Sequence, residues 1–547
     1  MFALVCVLIC LNVHHRLRTF AWRSCPSYNA VSPSSGGTMK QRIRTIVVAV
    51  LCIAVSAGLT VATFRTPTGA PADFDPASYR SDVIVTMFQA NWKSVAKECT
   101  DTLGPEGVAY VQVSPPQESI KGTQWWTSYQ PVSYNLNSKE GTEQEFKSMI
   151  ATCKAAGVGV IADAVINHTT GVDQGSGTGT GGSSFDAKGD FPAIGYTAKD
   201  FHTCDTDVIN YSDQENVQDC RVSGLQDLDT SSAHVRDTLA SYFAKLLKYG
   251  VAGFRVDAVK HISNTDVLAI KKLVAQKTGR SLSDIWWMQE VIGNVSEAAA
   301  IQPKNYTRSG QVSEFQYAYQ LKTFFSNSLV GGTKSIKDIT SNLVPSDDAA
   351  IFVTNWDTER NGMTLTYRDE NSYLLANAFM LAYPYSTPNI FSGYEYEKSD
   401  DGAPGATKTS VPDTTCGTGS DWTCTQRWTA IRGMIGWHNV AGSSRMTDWH
   451  DDGDNVIGFG RGNRAYIVIN NGVSGATVSY STSMPAGDYC NVYASGDCSS
   501  KVHIGIDGKL NATVPAGSAI AIHVAATPST WHGTAARDAS DPDWYGN

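Results

Sequence analysis

Between residues 82 and 396, short runs rich in β-branched and aromatic residues alternate with longer amphipathic stretches. In the stretches, for example at 232–249 and 266–277, apolar residues recur at the three- and four-residue spacing that is typical of helices. Eight runs can be distinguished, at residues 82–89, 108–114, 158–168, 251–258, 284–292, 312–319, 349–357 and 383–393. Strands that alternate with helices form parallel sheets, and eight such units close into a barrel. The pattern therefore predicts an α/β fold, a (β/α)8 (TIM) barrel at residues 73–440.

Two segments do not fit this repeat. Residues 169–229, after the third run, are rich in Gly, Asp, Ser and Thr and are too long and irregular for one crossover helix, so we expect a small inserted domain there. After a predicted helix at 425–439, residues 445–526 alternate apolar and polar side chains in short runs at 456–459, 465–470, 476–480 and 519–524. This pattern predicts a C-terminal antiparallel β-sandwich domain. Residues 527–547 form a polar tail without a predicted role.

The charge of the chain excludes one class of partner. Its formal net charge is −9, from 43 Lys and Arg against 52 Asp and Glu. Residues 1–72 contain seven of the basic residues and no acidic residue, so the remaining chain has 36 basic and 52 acidic side chains. A surplus of negative charge repels polyanions. Nucleic acid is therefore not expected as a partner.

The first 72 residues have the composition of a leader. An apolar run at 46–64 follows the basic residues Lys40, Arg42 and Arg44, as in a secretory signal, and small residues at 69–72 fit a cleavage site. We therefore expect an extracellular protein without stable membrane association after cleavage. The alternative is a membrane anchor, because the apolar run nearly reaches spanning length. Met39 directly precedes the basic cluster, and a start there would make residues 1–38 a mis-called extension.

Eight cysteines follow the leader, and an even number suits disulfides in an exported protein. Proximity in the sequence favours three pairs and leaves a fourth, although connectivity cannot be proved in this way. The favoured pairs are Cys204 with Cys220, Cys416 with Cys424, Cys490 with Cys498, and Cys99 with Cys153. The sequence contains no CxxC pair or HExxH helix that would predict a zinc site.

Polar clusters end four of the predicted strands. Active sites of (β/α)8 barrels lie at the C-terminal ends of the strands, so these clusters are the candidate site. They are DAVINH at 163–168, GFRVDAVKH at 253–261, the pair Gln289-Glu290, and FVTNWD at 352–357.

In the order and spacing of these motifs, the chain resembles the α-amylase family of glycoside hydrolases. WWTSYQPVSY at 125–134, GLQDLD at 224–229 and MLAYPYSTPNIFSGYEY at 380–396 are similar to actinobacterial and animal-type members in particular. The resemblance covers nearly the whole mature chain. It implies a secreted, monomeric, endo-acting α-1,4-glucan hydrolase that acts on starch, glycogen and related α-glucans with retention of configuration.

The resemblance also implies roles for three carboxyl groups. A retaining glycosidase needs a carboxylate nucleophile and a carboxylic acid about 5 Å apart. Matched to the family's motifs, Asp257 is the nucleophile, Glu290 is the general acid/base, and Asp357 holds sugar hydroxyls and stabilises the transition state. We expect the apolar residues 286–288 to raise the pKa of Glu290, and Arg255, on the same face of its strand, to hold Asp257 ionised.

Further site residues are implied by the same resemblance. Aromatic side chains suit the apolar faces of pyranose rings. The implied substrate-binding residues are Trp125, Trp126, Tyr129, His168, Arg255, Lys260, His261 and Trp356. A structural calcium ion is implied between barrel and insert, held by Asn167, Asp227 and the backbone carbonyls of Gln218 and His261, since oxygen ligands fit a hard cation.

The sequence departs from the family at two positions. Trp356 stands where the family carries a histidine that hydrogen-bonds the sugar at the cleavage point, and an indole can donate one hydrogen bond but accept none. Some relatives bind an activating chloride through two basic residues and an asparagine. Arg255 and Asn355 match two of these positions, but the third is Asn389, so chloride binding is not expected. Two alternatives stay open: a transglycosylating or oligosaccharide-forming relative, and a starch-binding protein with weakened catalysis because of Trp356.

Overall fold

The structure, a computed structural model, describes residues 75–326, 333–531 and 540–542. The predicted leader lies outside these ranges, as does most of the polar tail. Within them, no helix combines the length and apolar character that a membrane span requires. The strands up to residue 392 are β1 Ile84–Met87, β2 Tyr110–Val113, β3 Gly159–Ala164, β4 His168–Gly171, β5 Ser176–Thr178, β6 Ser184–Asp186, β7 Leu225–Asp227, β8 Gly253–Val256, β9 Trp286–Gln289, β10 Gln311–Ser313, β11 Ala349–Phe352 and β12 Thr387–Ser392.

Eight of these strands form a closed parallel barrel, in the order β1-β12-β11-β10-β9-β8-β3-β2. The first strand closes it by pairing with β2 on one side and β12 on the other, with Ile84 opposite both Tyr110 and Asn389. The predicted (β/α)8 barrel is therefore confirmed. The barrel strands are short and almost entirely buried, as parallel strands covered on both faces should be.

The helices that cover the barrel follow the predicted amphipathic stretches. Two of them, Ala233–Tyr249 (α4) and Asn264–Thr278 (α5), lie where the spacing at 232–249 and 266–277 predicts helices. Buried side chains of α4 recur at helical spacing, from Val235 through Leu239 to Leu246, and the helix ends at Gly250, whose φ of 102° suits a residue without a Cβ. The helices are α1 Trp92–Glu98, α2 Glu143–Ala155, α3 Gln214–Asp219, α4 Ala233–Tyr249, α5 Asn264–Thr278, α6 Phe315–Phe325, α7 Trp356–Arg360, α8 Glu370–Ala382 and α9 Thr429–Ala441.

All eight predicted strands have different bounds in the structure, and three of them divide between elements. Residues 349–357 divide because β11 ends at Phe352 and α7 begins at Trp356. Residues 312–319 were expected as one strand, but β10 ends at Ser313 and α6 begins at Phe315. The Glu314 side chain accepts a hydrogen bond from the Gln316 N–H and caps the helix. Apolar residues at helical spacing, from Phe315 to Leu321, are buried on one face. The run predicted at 158–168 also divides, because β3 ends at Ala164 and His168 begins β4.

The insert between β3 and α4 consists of two small sheets and the short helix α3. Its strands pair as β4 with β7 and β5 with β6, and a disulfide joins Cys204 to Cys220. The structure contains the four disulfides that sequence proximity favours, the others being Cys99–Cys153, Cys416–Cys424 and Cys490–Cys498. Because β4 follows directly after β3, the insert lies at the C-terminal end of the barrel strands.

The C-terminal segment, residues 446–523, forms two antiparallel four-stranded sheets. Apolar side chains from both sheets share one core, including Tyr466 and Val468 from the first and Ile504 and Leu510 from the second. The predicted antiparallel β-domain is confirmed. Its strands are β13 Met446–Asp451, β14 Val456–Arg461, β15 Ala465–Asn470, β16 Ala476–Ser481, β17 Gly487–Cys490, β18 Lys501–Ile504, β19 Lys509–Val514 and β20 Ser518–His523. The first sheet has the order β13-β14-β15-β20 and the second has the order β16-β19-β18-β17.

The first and last parts of the barrel are joined by buried polar contacts. Glu98, at the end of α1, accepts hydrogen bonds from Gln426 Nε2 (3.0 Å) and Arg427 Nε (2.9 Å), which precede α9. In the tail, the Asp541 carboxylate accepts hydrogen bonds from the backbone N–H (2.7 Å) and hydroxyl (2.8 Å) of Thr429. The barrel is thus closed by side chains as well as by its sheet.

Substitution of Glu98 tests this closure. We expect Glu98→Ala to lower the free energy of unfolding by about 2 kcal/mol, because it removes the carboxylate of a largely buried ion pair. The matched control is Asp101→Ala, three residues later, whose exposed pair with Lys97 is worth about 0.5 kcal/mol or less. Urea unfolding curves measure both values. Equal effects of the two substitutions would contradict this role for Glu98.

Candidate active site

The predicted site residues meet in a cleft of about 570 Å³ at the C-terminal end of the barrel strands. Asp257 directly follows β8, Glu290 follows β9, and Asp357 lies in the first turn of α7, shortly after β11. Trp125, Trp126, Tyr129, His168, Lys260, His261 and Trp356 line the same cleft. The cleft therefore contains every predicted catalytic and substrate-binding residue except Arg255, which lies in β8.

Arg255 is 4% exposed and joins three carboxyl groups at the centre of the site. Its Nη1 lies 2.6 Å from Asp257 Oδ1 and 3.0 Å from both carboxylate oxygens of Asp163. Its Nη2 lies 2.8 Å from Glu290 Oε2. Asp257 and Glu290 therefore lie on the two terminal nitrogens of one guanidinium.

Glu290 has a second partner in the backbone. The N–H of Ala258 donates to Glu290 Oε2 over 2.8 Å. Ala258 adopts the left-handed conformation, with φ of 51°, which is uncommon for a residue with a Cβ and is characteristic of functional sites. The residue after Asp257 thereby fixes one oxygen of Glu290.

Arg255 contacts Asp163, Asp257 and Glu290, and a fourth carboxyl group, Asp357, is affected by both Arg255 and Arg360. Burial raises the pKa of Asp163 to about 7 and that of Asp357 to about 7, and the neighbouring carboxyl groups contribute in both cases. The pKa of Glu290 is also raised, first by burial and then by the charge of Asp257, which is the expected direction. The neighbouring cations do not offset burial at Asp163, Glu290 and Asp357, so the pKa of each carboxyl group lies above its ordinary value.

The expectation for Asp257 needs a correction. Arg255 was expected to hold this carboxylate ionised, and the 2.6 Å contact does lower its pKa. Burial is the larger effect, however, and the pKa of Asp257 lies above its ordinary value. Charge neighbours can be read from the sequence, whereas the extent of burial depends on the closed barrel.

The three aromatic residues of the WWTSY motif lie on a short 3₁₀ helix, Trp125–Tyr129, in the loop after β2. The Trp125 and Tyr129 rings lie 5.8 Å apart, and the Trp125 Nε1 donates to the Ser399 carbonyl over 2.8 Å. The Tyr129 hydroxyl donates to Asp163 over 2.9 Å. Trp125 and Trp126 are partly exposed to the cleft, so they offer apolar faces to a ligand.

The histidines and the lysine of the motifs also have defined partners. His168 Nε2 lies 3.0 Å from the Tyr129 carbonyl and His261 Nδ1 lies 2.9 Å from the Val217 carbonyl. Burial lowers the pKa of each imidazole to about 4, so both are neutral at neutral pH. Lys260 pairs with Glu297, and its ammonium lies 5.0 Å from the centre of the Tyr211 ring.

Trp356 is 4% exposed and packs between other residues of the site. Its ring stacks on Phe88 at 5.0 Å, with an angle of 6° between the planes, and the Arg255 guanidinium carbon lies 4.8 Å from its centre. The Tyr129 ring lies 5.8 Å away. Trp356 therefore covers the guanidinium that holds the carboxyl groups.

Sequence reasoning missed three residues of this site. Asp163 begins the DAVINH motif but was not predicted as a site residue, although it contacts Arg255. Its position at the end of a predicted strand was a usable signal. Tyr211 and Glu297 come from the insert and from the loop after β9. Neither lies in a motif, so no sequence signal identifies them.

The residues predicted to hold calcium lie close together between barrel and insert. Asn167 Nδ2 lies 3.1 Å from Asp227 Oδ1, and Gln218 Nε2 lies 3.4 Å from the carbonyl of Ile262, next to His261. His202 links the two pairs, because it contacts Asp227 at 2.6 Å and Asp219, next to Gln218, at 3.6 Å. Burial raises the pKa of Asp227 to about 7 although His202 lowers it, so a cation there would further stabilise the charged carboxylate.

This donor set fits a hard cation, since it offers a carboxylate, an amide and backbone carbonyls. In the described part of the chain, no group of three or more His, Cys, Asp or Glu side chains is placed to hold a metal ion. Of the positions considered for chloride, Asn355 accepts hydrogen bonds that cap α7, and Asn389 bonds to Thr86 (2.9 Å) and Gln112 (3.2 Å). The expectation about chloride stays a prediction.

Comparison with known proteins decides the family. A family described as "Alpha amylase, catalytic domain" matches residues 111–457. The chain belongs to the α-amylase family. A second family, "Alpha amylase, C-terminal all-beta domain", matches residues 446–525.

Similar proteins come from bacteria and animals. An α-amylase of Streptomyces violaceus is 43% identical over 87% of this chain and 79% of its own length. Human alpha-amylase 1B is 37% identical over 79% of this chain and 91% of its own length. Among solved structures, a variant of α-amylase I from Eisenia fetida in complex with maltohexaose has a TM-score of 0.75 at 34% identity, over 81% of this chain and 97% of that one.

Replacement of Trp356 by the family's histidine tests what this position does. We expect Trp356→His to raise kcat/KM on soluble starch, because imidazole can donate and accept hydrogen bonds that indole cannot. It should also lower the free energy of unfolding by about 1–3 kcal/mol, because the ring that packs on Phe88 and Arg255 is lost.

The control is Trp356→Phe, which keeps an apolar ring but adds no hydrogen-bonding group. It should give no gain in kcat/KM. Kinetics and thermal unfolding of the three proteins separate the two effects. If the histidine variant is folded and shows no gain, position 356 does not limit the rate.

Proposed function

We propose that this protein is a secreted α-amylase that cleaves internal α-1,4 bonds of starch and glycogen with retention of anomeric configuration. The observation that carries the proposal is the placement of Asp257 and Glu290 on the two terminal nitrogens of Arg255. Retaining glycosidases place their two carboxyl groups about 5 Å apart, whereas inverting enzymes leave about 6.5–9.5 Å for a water molecule. Contacts with one guanidinium are compatible with the shorter separation.

In the first step, the Asp257 carboxylate attacks the anomeric carbon of the glucose at the cleavage point. Glu290 donates its proton to the glycosidic oxygen, the bond to the leaving glucan breaks, and a covalent glucosyl ester forms on Asp257. In the second step, Glu290 takes a proton from water, whose oxygen attacks the anomeric carbon and releases Asp257. Two inversions at one carbon give net retention.

The charges of the site suit these roles. Glu290 must begin protonated, and its raised pKa supports this. Asp257 must begin ionised, and of the two groups it has the closer contact with Arg255. When Glu290 loses its proton to the leaving group, the Ala258 N–H and Arg255 already hold the oxygen that becomes charged. Asp357 lies near both and would bind sugar hydroxyls.

The remainder of the cleft suits a chain of glucose units. Trp125, Trp126 and Tyr129 provide apolar faces, and the neutral His168 and His261 can donate or accept hydrogen bonds at neutral pH. The bound maltohexaose in the similar Eisenia fetida structure supports an oligosaccharide of glucose as the ligand. Lys260 lines the cleft beside them.

The alternatives considered from the sequence are not favoured. A binding protein with weakened catalysis would rest on Trp356 alone, yet all three carboxyl groups are in place around Arg255, and the compared relatives are named as α-amylases. A transglycosylating relative would use the same groups. Chromatography of the products formed from maltoheptaose distinguishes hydrolysis from transfer.

We further propose a structural calcium ion held by Asn167, Asp227 and the carbonyls of Gln218 and His261. When bound, calcium would cross-link the insert to the barrel. Support comes from the burial of Asp227 and from the oxygen chemistry of the set.

The four disulfides and the apolar leader support an extracellular location. A monomeric state without membrane association stays a prediction.

Removal of the Glu290 acid tests the catalytic proposal. We expect Glu290→Gln to lower kcat on starch by about 10³-fold or more, because the leaving oxygen is no longer protonated. The protonated form of Glu290 is the active one, so wild-type kcat/KM should fall as pH rises through its raised pKa. With an aryl maltoside whose leaving group needs no proton, the variant should retain kcat/KM, which reports the first step, and its kcat/KM should no longer fall at high pH.

The matched control is Glu314→Gln. Burial also raises the pKa of Glu314, but it caps α6 outside the cleft. Its substitution should leave the pH profile unchanged. If kcat/KM of Glu290→Gln still falls at high pH as in the wild type, another group is the acid.

Chelation tests the calcium proposal. We expect excess EDTA to lower the melting temperature and added Ca²⁺ to restore it, since an ion at 100 times its Kd stabilises the folded state by about 2.7 kcal/mol. Asp227→Asn should abolish this response. The control Asp200→Asn removes another buried carboxylate of the insert, one that pairs with His234, and should keep the response. A melting temperature that is insensitive to EDTA would exclude the ion.

A further inference from the structure

Lys139 is a buried lysine whose ammonium hydrogen-bonds a single short segment of the chain. Its side chain lies outside the cleft, and the residue is 2% exposed. The ammonium donates to the carbonyls of Gly122 (3.3 Å) and Gln124 (2.8 Å) and to the hydroxyl of Thr127 (2.8 Å). An ammonium has three donors, so each has an acceptor, and all three acceptors belong to residues 122–127.

This segment leads into and begins the 3₁₀ helix Trp125–Tyr129. Its two tryptophans are partly exposed in the cleft, and the Trp125 ring lies 5.8 Å from Tyr129, which in turn lies 5.8 Å from Trp356. Tyr129 thus lies between Trp125 and Trp356, the residue that covers Arg255. The segment that Lys139 holds is the one that presents the aromatic platform, defined as Trp125 and Trp126.

The neighbouring residue holds the same helix from its other end. Glu140 is 1% exposed, and its carboxylate accepts a hydrogen bond from the Ser128 hydroxyl over 3.1 Å. The backbone around both residues is fixed, since the carbonyl of Lys139 accepts from the Val411 N–H (3.1 Å) and that of Glu140 from the Trp92 N–H (3.0 Å). Two consecutive buried charges therefore connect one five-residue helix to the body of the barrel.

The segment closes tightly around the ammonium. A Cβ at Gly122 would lie 2.5 Å from the Thr127 methyl carbon, so the turn admits only glycine there without movement. The Thr127 hydroxyl also donates to the Gln124 carbonyl over 2.7 Å. Two carbonyls and a hydroxyl thus converge on one cation, and removal of the cation would leave the two carbonyls with donors from Thr127 alone, at a cost.

We propose that Lys139 is a positioning residue that holds the Trp125–Tyr129 helix in place, so that the aromatic platform is rigid before a glucan chain binds. The inference rests on the proposed function, because the platform is assigned to glucan binding there. A preformed platform improves binding by reducing the ordering required when the ligand arrives. Lys139 therefore governs KM more than the chemical step, because its ammonium contacts Gly122, Gln124 and Thr127 and none of the carboxyl groups around Arg255.

The experiment compares Lys139→Met with Lys271→Met in the full-length secreted enzyme. Lys271 is a matched control: it is 6% exposed, its ammonium donates to a backbone carbonyl, that of Ser309, and burial lowers its pKa, like that of Lys139, to about 8. It lies on α5 and lines no part of the cleft. Both variants keep an unbranched side chain of nearly the same length and remove the ammonium. Initial rates on soluble amylose and maltoheptaose give kcat and KM for each.

We expect Lys139→Met to raise KM on both substrates about tenfold while kcat changes by less than twofold, which is the pattern of lost uniform binding. Lys271→Met should leave KM unchanged even where it lowers the melting temperature. Thr127→Val, which removes one acceptor of the ammonium, should raise KM in the same direction by a smaller factor. It also keeps the test decisive if Lys139→Met fails to fold. Lys139→Arg restores a buried cation with several donors and should recover part of the loss.

An unchanged KM in folded Lys139→Met or Thr127→Val would overturn the inference. So would a tenfold rise in KM in Lys271→Met, because the effect would then follow from loss of a buried ammonium anywhere. Failure of the wild-type enzyme to cleave amylose would instead contradict the proposed function, so the two failures are distinguishable.

Discussion

The contact of Arg255 with three carboxyl groups is the interaction on which the site depends. The guanidinium joins Asp163 in β3, Asp257 directly after its own strand β8 and Glu290 directly after β9. It therefore fixes the ends of three adjacent barrel strands relative to one another. The same contacts affect the charge of the site, because burial raises the pKa of these carboxyl groups and of Asp357 in spite of the nearby guanidinium. The raised pKa of Glu290 favours its protonated form, which a glycosidase acid requires.

Aromatic rings shield this charge cluster from water. Trp356 lies on the guanidinium and stacks on Phe88, and Tyr129 connects Trp356 to Trp125 and, through its hydroxyl, to Asp163. The same set of rings thus covers the catalytic charges at one end and faces the ligand at the other. Lys139 and Glu140 hydrogen-bond the segment that carries three of these rings, Trp125, Trp126 and Tyr129. The family's histidine would add hydrogen-bonding capacity at position 356, whereas tryptophan adds packing.

The sequence predicts the barrel well because parallel strands covered on both faces form continuous apolar runs. It fails at 312–319, where an apolar run is compatible with strand or helix and the Glu314 cap decides. The catalytic candidates could be named because each lies in a short motif at a strand end. Tyr211, Glu297 and Lys139 could not, because their roles depend on contacts with other segments that leave no local pattern. The net pKa of Asp257 was also unpredictable, because it depends on burial as well as on Arg255.

The configuration of the first product tests the central claim most directly. If Asp257 and Glu290 act across one glycosidic bond as nucleophile and acid, two inversions occur at the anomeric carbon. Proton NMR of maltoheptaose at high enzyme concentration, recorded before mutarotation, resolves the new reducing ends. The account predicts that the α-anomer forms first and that the β-anomer appears only at the rate of mutarotation. Initial formation of the β-anomer would show a single displacement by water and would contradict the roles given to the two carboxyl groups on Arg255.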